Sequence, residues 1–549
     1  MDNNYLADLL YPNIHTLPED MEARYPKRQL PEGAKVTRFA PSPTGFLHLG
    51  NLYGAFTDER LAHTSGGVFY LRIEDTDAKR TVPNGVELII DTLAKLGVNF
   101  DEGAIKNGED KGAYGPYRQS ERAEIYQTYA KQLIREGKAY PCFCTEEEIA
   151  AMREKQEALK LTPGYYGEYA VWRDAPIEKI EEKLNAGVPF VLRFRSEGSI
   201  ENKMKFNDQI KGEINVTEND IDHVILKSDG IPTYHFAHAV DDHLMGTTHV
   251  VRDESWLSTL PFHIQLFKAL GFKLPKYCHT AQVMKLDNGN KRKISKRKDP
   301  EFAATFYHEQ GYPAAVTREY LITLLNSNFE EWRIANPTAP IEDFKFTTKK
   351  MSVSGSLFDM DKLNDISKNV ISRMTAEEVY ENVLAWAKDF DADFADKLTV
   401  DADMAIAALS IGRGGAKPRK DIARWNEVQS YMGFLWDEYF SIIDEIPDKF
   451  DKADIKAALN KYLEIYSEED DQISWFDKIK ALASELGYAP ETKLYKKNPE
   501  EYKGHVGDIS MFLRIAVTGK ASSPDMYEIM RILGADRVKA RITAYAETI

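Results

Sequence analysis

Apolar positions cluster in Val36-Thr-Arg-Phe39, which reads as a short buried strand, and recur at helical spacing over 51–62. The chain there predicts strand, tight turn, amphipathic helix. Pro41 and Pro43 occupy the turn, and proline cannot supply the amide that a sheet ladder needs. Residues 67–73 predict a second strand and 86–96 a second amphipathic helix. Such alternation predicts an α/β fold with an open, largely parallel sheet and ligands at the strand ends near the switch point. Residues 1–33 carry acidic side chains, Pro18, Pro26 and Pro31, and little periodicity, so they predict an extension packed on the surface or partly loose.

The pattern turns helical over 120–136 and then changes character. Ala139-Tyr-Pro-Cys-Phe-Cys144, Pro163-Gly, and strand-like runs at 190–194 and 222–226 predict a small α+β insertion that ends about Lys227. The chain re-enters the sheet through 233–242 and the apolar run 249–252, with a helical reading through Leu270. Beyond Pro300 helical periodicity continues almost to the end, as at 319–326 and 437–443, and predicts two all-helical subdomains meeting near 450.

A chain of 549 residues exceeds what one core usually holds, and 43% apolar with 11% aromatic content excludes a disordered protein. Three cysteines, Cys142, Cys144 and Cys278, cannot form a disulfide framework, and no charged-then-apolar signal opens the sequence, so a reducing cytoplasm is expected. No apolar stretch is long enough to span a bilayer. A net charge of -16 disfavours indiscriminate nucleic-acid binding, but binding follows local potential. Basic clusters exist at Lys291-Arg-Lys-Ile-Ser-Lys-Arg-Lys298, Arg413-Gly-Gly-Ala-Lys-Pro-Arg-Lys420 and Lys493-Leu-Tyr-Lys-Lys497.

The turn after the first strand carries the candidate chemistry. Gly45 and Gly50 allow close backbone approach, the helix start offers unpaired N–H groups to phosphate, and His48 stands there as a donor to anionic oxygens. His48-Leu-Gly50-Asn51 and Lys293-Ile-Ser-Lys296-Arg297 together resemble the two signature sequences of class I aminoacyl-tRNA synthetases. Phe39-Ala-Pro-Ser-Pro-Thr-Gly45, Leu71-Arg-Ile-Glu-Asp-Thr-Asp77 and Lys227-Ser-Asp-Gly-Ile-Pro-Thr-Tyr234 narrow the likeness to bacterial-type glutamyl-tRNA synthetases, over nearly the whole chain after Gly33.

That resemblance implies a Rossmann-type α/β catalytic domain in two halves, 34–138 and 228–300, split by an α+β connecting insertion at 139–227 that holds the acceptor end of tRNA. A stem-contact domain at 301–370 and all-α anticodon-binding subdomains at 371–450 and 451–549 would follow, with 1–33 as an N-terminal extension. The implied reaction attaches L-glutamate to tRNA-Glu through a glutamyl-adenylate, using ATP with Mg²⁺ and releasing AMP and pyrophosphate. His48, Lys293 and Lys296 would be catalytic, and Thr44, Gly45, His48, Gly50, Asn51 and Lys296 would bind ATP. Lys296 would close over the developing charge from a loop hinged at Gly289, Asn290 and Pro300. Arg38, Ala40, Ser42, Glu74, Arg80, Tyr234, His238 and Arg252 would bind glutamate. Within that set Arg38 would meet the side-chain carboxylate, because a planar guanidinium offers it two directed bonds. Glu74, assisted by Ser42, would hold the ammonium, and Arg80 would lie near the α-carboxylate.

Asn51, His238 and Ser255 depart from the residues more common in this family at those positions. Some relatives complete a zinc site from the Cys142-Phe-Cys144 pair, but here the matching positions are Tyr169 and Val171, so no zinc is expected. The family also implies a monomer. Two alternatives share the architecture: an enzyme that also charges tRNA-Gln, and a glutaminyl-tRNA synthetase. The latter is disfavoured by Phe39-Ala-Pro-Ser-Pro-Thr44 and by the helical C-terminal half. A non-catalytic RNA-binding module has no need of both signatures.

Overall fold

A computed structural model of the protein describes residues 2–77, 79–295 and 297–549. The chain divides into two compact units, one of Met1–Phe306 with Thr317–Asp359 and one of Tyr307–Val316 with Met360–Ile549.

The N-terminal extension packs on the surface of its unit, the first of the two expected states. Helix α1 (Asn3–Leu10) starts where the Asp2 carboxylate accepts the amides of Asn4 and Tyr5, and it buries Leu6, Ala7 and Leu10. Helix α2 (Pro18–Arg24) has proline in its first turn followed by Glu19 and Asp20, which suit the positive end of the helix dipole. Helices this short show too few repeats for a 3.6-residue period to register in the sequence. Further along, Arg28 donates to both carboxylate oxygens of Glu102 at 2.8 and 2.9 Å and to the carbonyl of Met245 at 2.7 Å.

Strand β1 (Val36–Phe39) is buried at all its residues and leads through the proline turn into α3 (Leu49–His63). The expected amphipathic helix is instead buried nearly all round, Asp58, Glu59 and Arg60 included. Strand β2 (Val68–Leu71) pairs parallel to β1, with Val36 opposite Val68 and Phe39 opposite Leu71. After α4 (Gly85–Lys95), β3 (Glu102–Ala104) continues the parallel order and β4 (Asp110–Lys111) closes the edge antiparallel.

Helix α5 (Ala123–Arg135) precedes the inserted region, and its Lys131 ammonium donates to the carbonyls of Tyr11 and Ile14 at 2.9 and 2.8 Å. In the insertion, β5 (Ala139–Cys142) and β6 (Val191–Phe194) flank α6 (Glu146–Ala158) and α7 (Ile177–Asn185). Next comes the hairpin of β7 (Lys203–Asp208) and β8 (Gly212–Thr217). Strand β9 (Val224–Leu226) then completes an antiparallel sheet of order β5-β6-β9.

The chain returns through α8 (Tyr234–Leu244) to β10 (His249–Asp253), then through α9 (Leu260–Ala269) to β11 (Lys276–Thr280), which is parallel to β10. Thr248 N–H donates to the carbonyl of Val36 at 2.9 Å, so β10 begins on the flank of β1 opposite β2. Strand order therefore reverses at β1, and the ends of β1, β2, β10 and β11 open on one crevice.

The basic stretch is more regular than a hinged loop. β12 (Val283–Asp287) and β13 (Asn290–Lys293) form a hairpin whose turn places Asn288 and Gly289 at φ 49° and 81°, so Gly289 makes the turn. β12 also pairs parallel with β14 (Ser356–Phe358).

The second unit is helical, and its buried apolar residues, from Ile371 through Trp425, Trp436 and Phe512 to Ala546, form one continuous cluster. The expected helix at 437–443 is absent. No helix lies between Leu435 and Lys452, and Ile442 and Ile443 face solvent. The amides of Ile443 and Asp444 instead donate to the carbonyl of Gly519 at 2.8 and 3.0 Å. Gly519 ends the helix Val506–Thr518 at φ 76°, and a Cβ there would meet the Ser441 carbonyl oxygen at 2.0 Å, so only glycine fits.

Candidate active site

The crevice at the strand ends is a cleft of about 370 Å³. Of the residues expected to act, Arg38, Ala40, His48, Gly50, Asn51, Glu74, Tyr234, Arg252 and Lys293 line it. Others lie elsewhere. Ser42, Thr44 and Gly45 are exposed in the turn and do not line the cleft. Arg80 also lies outside the cleft, its side chain solvent-exposed and paired with the carboxylate of Asp77 at 2.5 Å, three residues back. His238 is fully buried on α8, stacked against Tyr234 at 5.8 Å between centroids, and does not line the cleft. Lys296 lies outside the described residues.

His48 caps α3. Its Nδ1 accepts the amide of Asn51 at 3.3 Å while Asn51 Oδ1 accepts the amide of His48 at 3.0 Å. With Nδ1 occupied as an acceptor, the neutral ring carries its proton on Nε2. The ring stacks on Phe302 at 4.6 Å, and a Cβ on Gly50 would approach it to 3.1 Å, so glycine at position 50 keeps the ring seated.

Behind the cleft lies a lattice of buried charge. The Asp242 carboxylate accepts from Arg38 Nε at 3.2 Å and from Arg72 Nη1 at 2.7 Å, and His238 Nδ1 lies 2.8 Å away. Burial alone would raise its pKa, but the Arg38 and Arg72 guanidiniums outweigh this and hold it well below the usual carboxylate range. Asp241 next to it accepts from Arg122 Nε at 2.8 Å and Tyr126 Oη at 2.7 Å. Two arginines that could each meet a ligand are thus treated differently. Arg38 has its Nε on Asp242 and its Nη1 3.4 Å from the Val251 carbonyl, whereas Arg252 Nη2 is buried with no hydrogen-bond acceptor among the described residues. An unpaired guanidinium donor on a cleft wall is costly unless an anion completes it.

Glu74 sits opposite, only 9% exposed, with Arg72 Nη2 on its Oε1 at 3.1 Å. Burial, only partly offset by Arg72 and Arg38, pushes its pKa up to about 7 from 4.5. Between those pH values the folded protein binds a proton that the unfolded chain has released, so stability falls as pH rises through the window. Glu74→Gln should therefore stabilise the ligand-free protein by about 3 kcal/mol at pH 8 and by little at pH 4.5. Urea unfolding at the two pH values checks this.

The sequence reading missed Asp58 and Trp256, which also line the cleft. Asp58 is buried with Oδ1 unpaired among the described residues, and burial raises its pKa well above the usual value. The signal was available, since Asp58-Glu-Arg60 interrupts the apolar stretch of α3. Trp256 packs on Tyr234 at 4.5 Å and has no motif that would announce it. Cys142 and Cys144 share the Tyr165 hydroxyl at 3.5 and 3.7 Å. No cluster of three or more His, Cys, Asp or Glu side chains suited to a metal occurs among the described residues.

Residues 35–365 match the family described as tRNA synthetases class I (E and Q), catalytic domain, and residues 417–546 match an anticodon binding domain. Fold and cleft thus define a class I tRNA synthetase. Over 543 residues the chain is 54% identical to a protein of Acetivibrio thermocellus named "Glutamate--tRNA ligase", covering 99% of each. A protein of the same name from Clostridium perfringens is 49% identical over 546 residues, covering 99% of this chain and 100% of that one. The crystal structure of a glutamate tRNA ligase from Elizabethkingia meningosepticum in complex with its amino acid superposes with a TM-score of 0.74 at 28% identity, covering 94% of this chain and 99% of that one. The chain belongs to the glutamate tRNA ligase family.

Proposed function

We infer that this chain attaches L-glutamate to tRNA-Glu, first joining the amino acid to ATP as a glutamyl-adenylate. The observation that carries the glutamate reading is the Arg252 guanidinium, which lines the cleft with Glu74 and Tyr234 and whose Nη2 has no acceptor among the described residues. A carboxylate supplies that acceptor. Glutamine matches glutamate in size, so selection must come from charge: a neutral amide turns an NH₂ donor toward guanidinium donors and loses the charge-assisted bonds.

The substrate α-carboxylate attacks the α-phosphorus, the bond to the β-phosphate bridging oxygen breaks, and pyrophosphate leaves. A tRNA hydroxyl then attacks the acyl carbon and AMP leaves. The protein has only to position groups and stabilise charge. The start of α3 and the Nε2–H of His48 face phosphate oxygens, with Lys293 across the cleft, while Arg38 and Arg252 sit on the side-chain end and Glu74 takes the ammonium. In that role Glu74 must ionise, so glutamate affinity should rise with pH through about 7. Mg²⁺ accompanies ATP on the family's pattern; the described residues offer it no cage of their own, and none of these steps runs through it.

On the same reading, the insertion at 139–227 receives the acceptor end of tRNA, 301–370 contacts the stem, and 371–450 and 451–549 read the anticodon. The enzyme acts as a monomer in the cytoplasm. No helix among the described residues is long and apolar enough to cross a membrane.

The decisive experiment measures charging of purified tRNA-Glu and tRNA-Gln with glutamate and with glutamine. Charging of tRNA-Glu by glutamate, with glutamine rejected by roughly four powers of ten, is expected. Preferential use of glutamine would overturn the reading.

A further inference from the structure

Arg252 is held by histidines, and the way they are held points to residues outside the cleft. Its Nε donates to His279 Nε2 at 2.9 Å and its Nη1 pairs with His263 Nδ1 at 2.9 Å, with the guanidinium over the Tyr277 ring at 4.6 Å. Arginine only donates, so both ring nitrogens must accept, which a histidine can do only when neutral and in one particular tautomer. For His279 that tautomer is set by Asp208, whose Oδ2 lies 2.7 Å from His279 Nδ1 and accepts its N–H, keeping the proton on Nδ1. His263 in turn presents Nε2–H to His235 Nδ1 at 2.8 Å. Burial lowers the pKa of His263, His235 and His279 alike, consistent with neutral rings.

Asp208 ends β7 in the inserted hairpin, far from the motif residues in sequence, and is 2% exposed. Its Oδ1 is committed to the amides of Ile210 and Lys211, each at 2.9 Å, leaving Oδ2 for His279, whose backbone N–H (3.2 Å) and Nδ1 (2.7 Å) both reach it. The hairpin is also tied to β11 by Gln209 N–H on the Tyr277 carbonyl at 2.9 Å.

We propose that Asp208 and His279 are positioning residues for amino-acid recognition: the inserted hairpin sets the His279 tautomer, which fixes the Arg252 guanidinium on the cleft wall for the substrate carboxylate. The proposal rests on Arg252 binding glutamate. Asp208→Asn is the sharp perturbation, because the backbone amides at Oδ1 still require an oxygen. The NH₂ group then faces His279 Nδ1, the ring proton moves to Nε2, and it meets the Arg252 Nε–H donor against donor.

The test is a double-mutant cycle read in glutamylation of tRNA-Glu at saturating ATP and tRNA. Asp208→Asn should raise the KM for glutamate by about ten- to a hundredfold, the equivalent of one buried donor left facing another, with kcat changed less than about threefold. His279→Gln keeps an amide oxygen that accepts from Arg252 and has no tautomer to set, so its KM should rise by about tenfold or less. In the His279→Gln background, Asp208→Asn should add less than about threefold. Equal KM effects of Asp208→Asn in both backgrounds, or an unchanged KM in the single variant, would overturn the proposal. Arg252→Lys run in parallel separates the two levels. If it leaves the glutamate KM unaltered, the assignment of Arg252 is wrong; if it raises KM while Asp208→Asn does not, only the positioning is wrong.

Discussion

Arg252→Gln is expected to raise the KM for glutamate by about a hundred- to a thousandfold and to erode the preference over glutamine, with the KM for ATP little changed. Removing one member of a buried charge pair costs about 2–5 kcal/mol, much of it from the partner left uncompensated, and the expected factor lies within that range. Arg38→Gln should act in the same direction but less strongly. Both guanidiniums spend Nε and Nη1 on the protein, Arg38 on Asp242 and the Val251 carbonyl and Arg252 on His279 and His263, but only the charge of Arg38 is already answered by a carboxylate. Initial rates over a glutamate series at saturating ATP and tRNA rank the two. A larger KM increase for Arg38→Gln would restore Arg38 as the primary receptor, as the sequence alone suggests.

Asp242→Asn is expected to be the most destabilising single change in the catalytic unit, at about 3–5 kcal/mol. The carboxylate is fully buried and answers two guanidiniums, and an amide of the same shape leaves Arg38 and Arg72 as uncompensated buried cations. Because Asp242 is held well below its ordinary pKa, its contribution is fully present above the unfolded value near 4 and is lost as pH falls toward the folded one. Urea unfolding should show a lower midpoint for the variant at pH 7, the gap narrowing as the solution is acidified, with early loss of hydrogen-exchange protection in β1. A midpoint within experimental error of the parent at pH 7 would show that His238 and bound water compensate.

Legibility in the sequence followed the range of the interaction. The strand at 36–39, the capped helix after it and the glycine at 50 are set within about fifteen residues, and they lie where pattern and motif place them. Asp208 and His279 are 71 positions apart, as Arg38 and Asp242 are 204, and no local spacing encodes such partners. Periodicity misled where it was weakest. Residues 437–443 alternate plausibly for a helix, yet their amides close the end of another helix at Gly519, a tertiary bond that outweighs local propensity. Arg80 stands outside the cleft in this structure, in a solvent-exposed pair with Asp77 three residues back.

The N-terminal extension has a consequence in time. Arg28 leaves the ribosome early, but its carbonyl partner on Met245 is 217 residues further along. At roughly 5–20 residues per second that partner emerges about ten to forty seconds later. The first helices find their surface sooner, when α5 brings Lys131 to the carbonyl of Tyr11, 120 residues apart in the chain, but Arg28 waits the whole interval for its partner. The extension is thus fastened in two stages, first on α5 and later at the carbonyl of Met245 that follows α8.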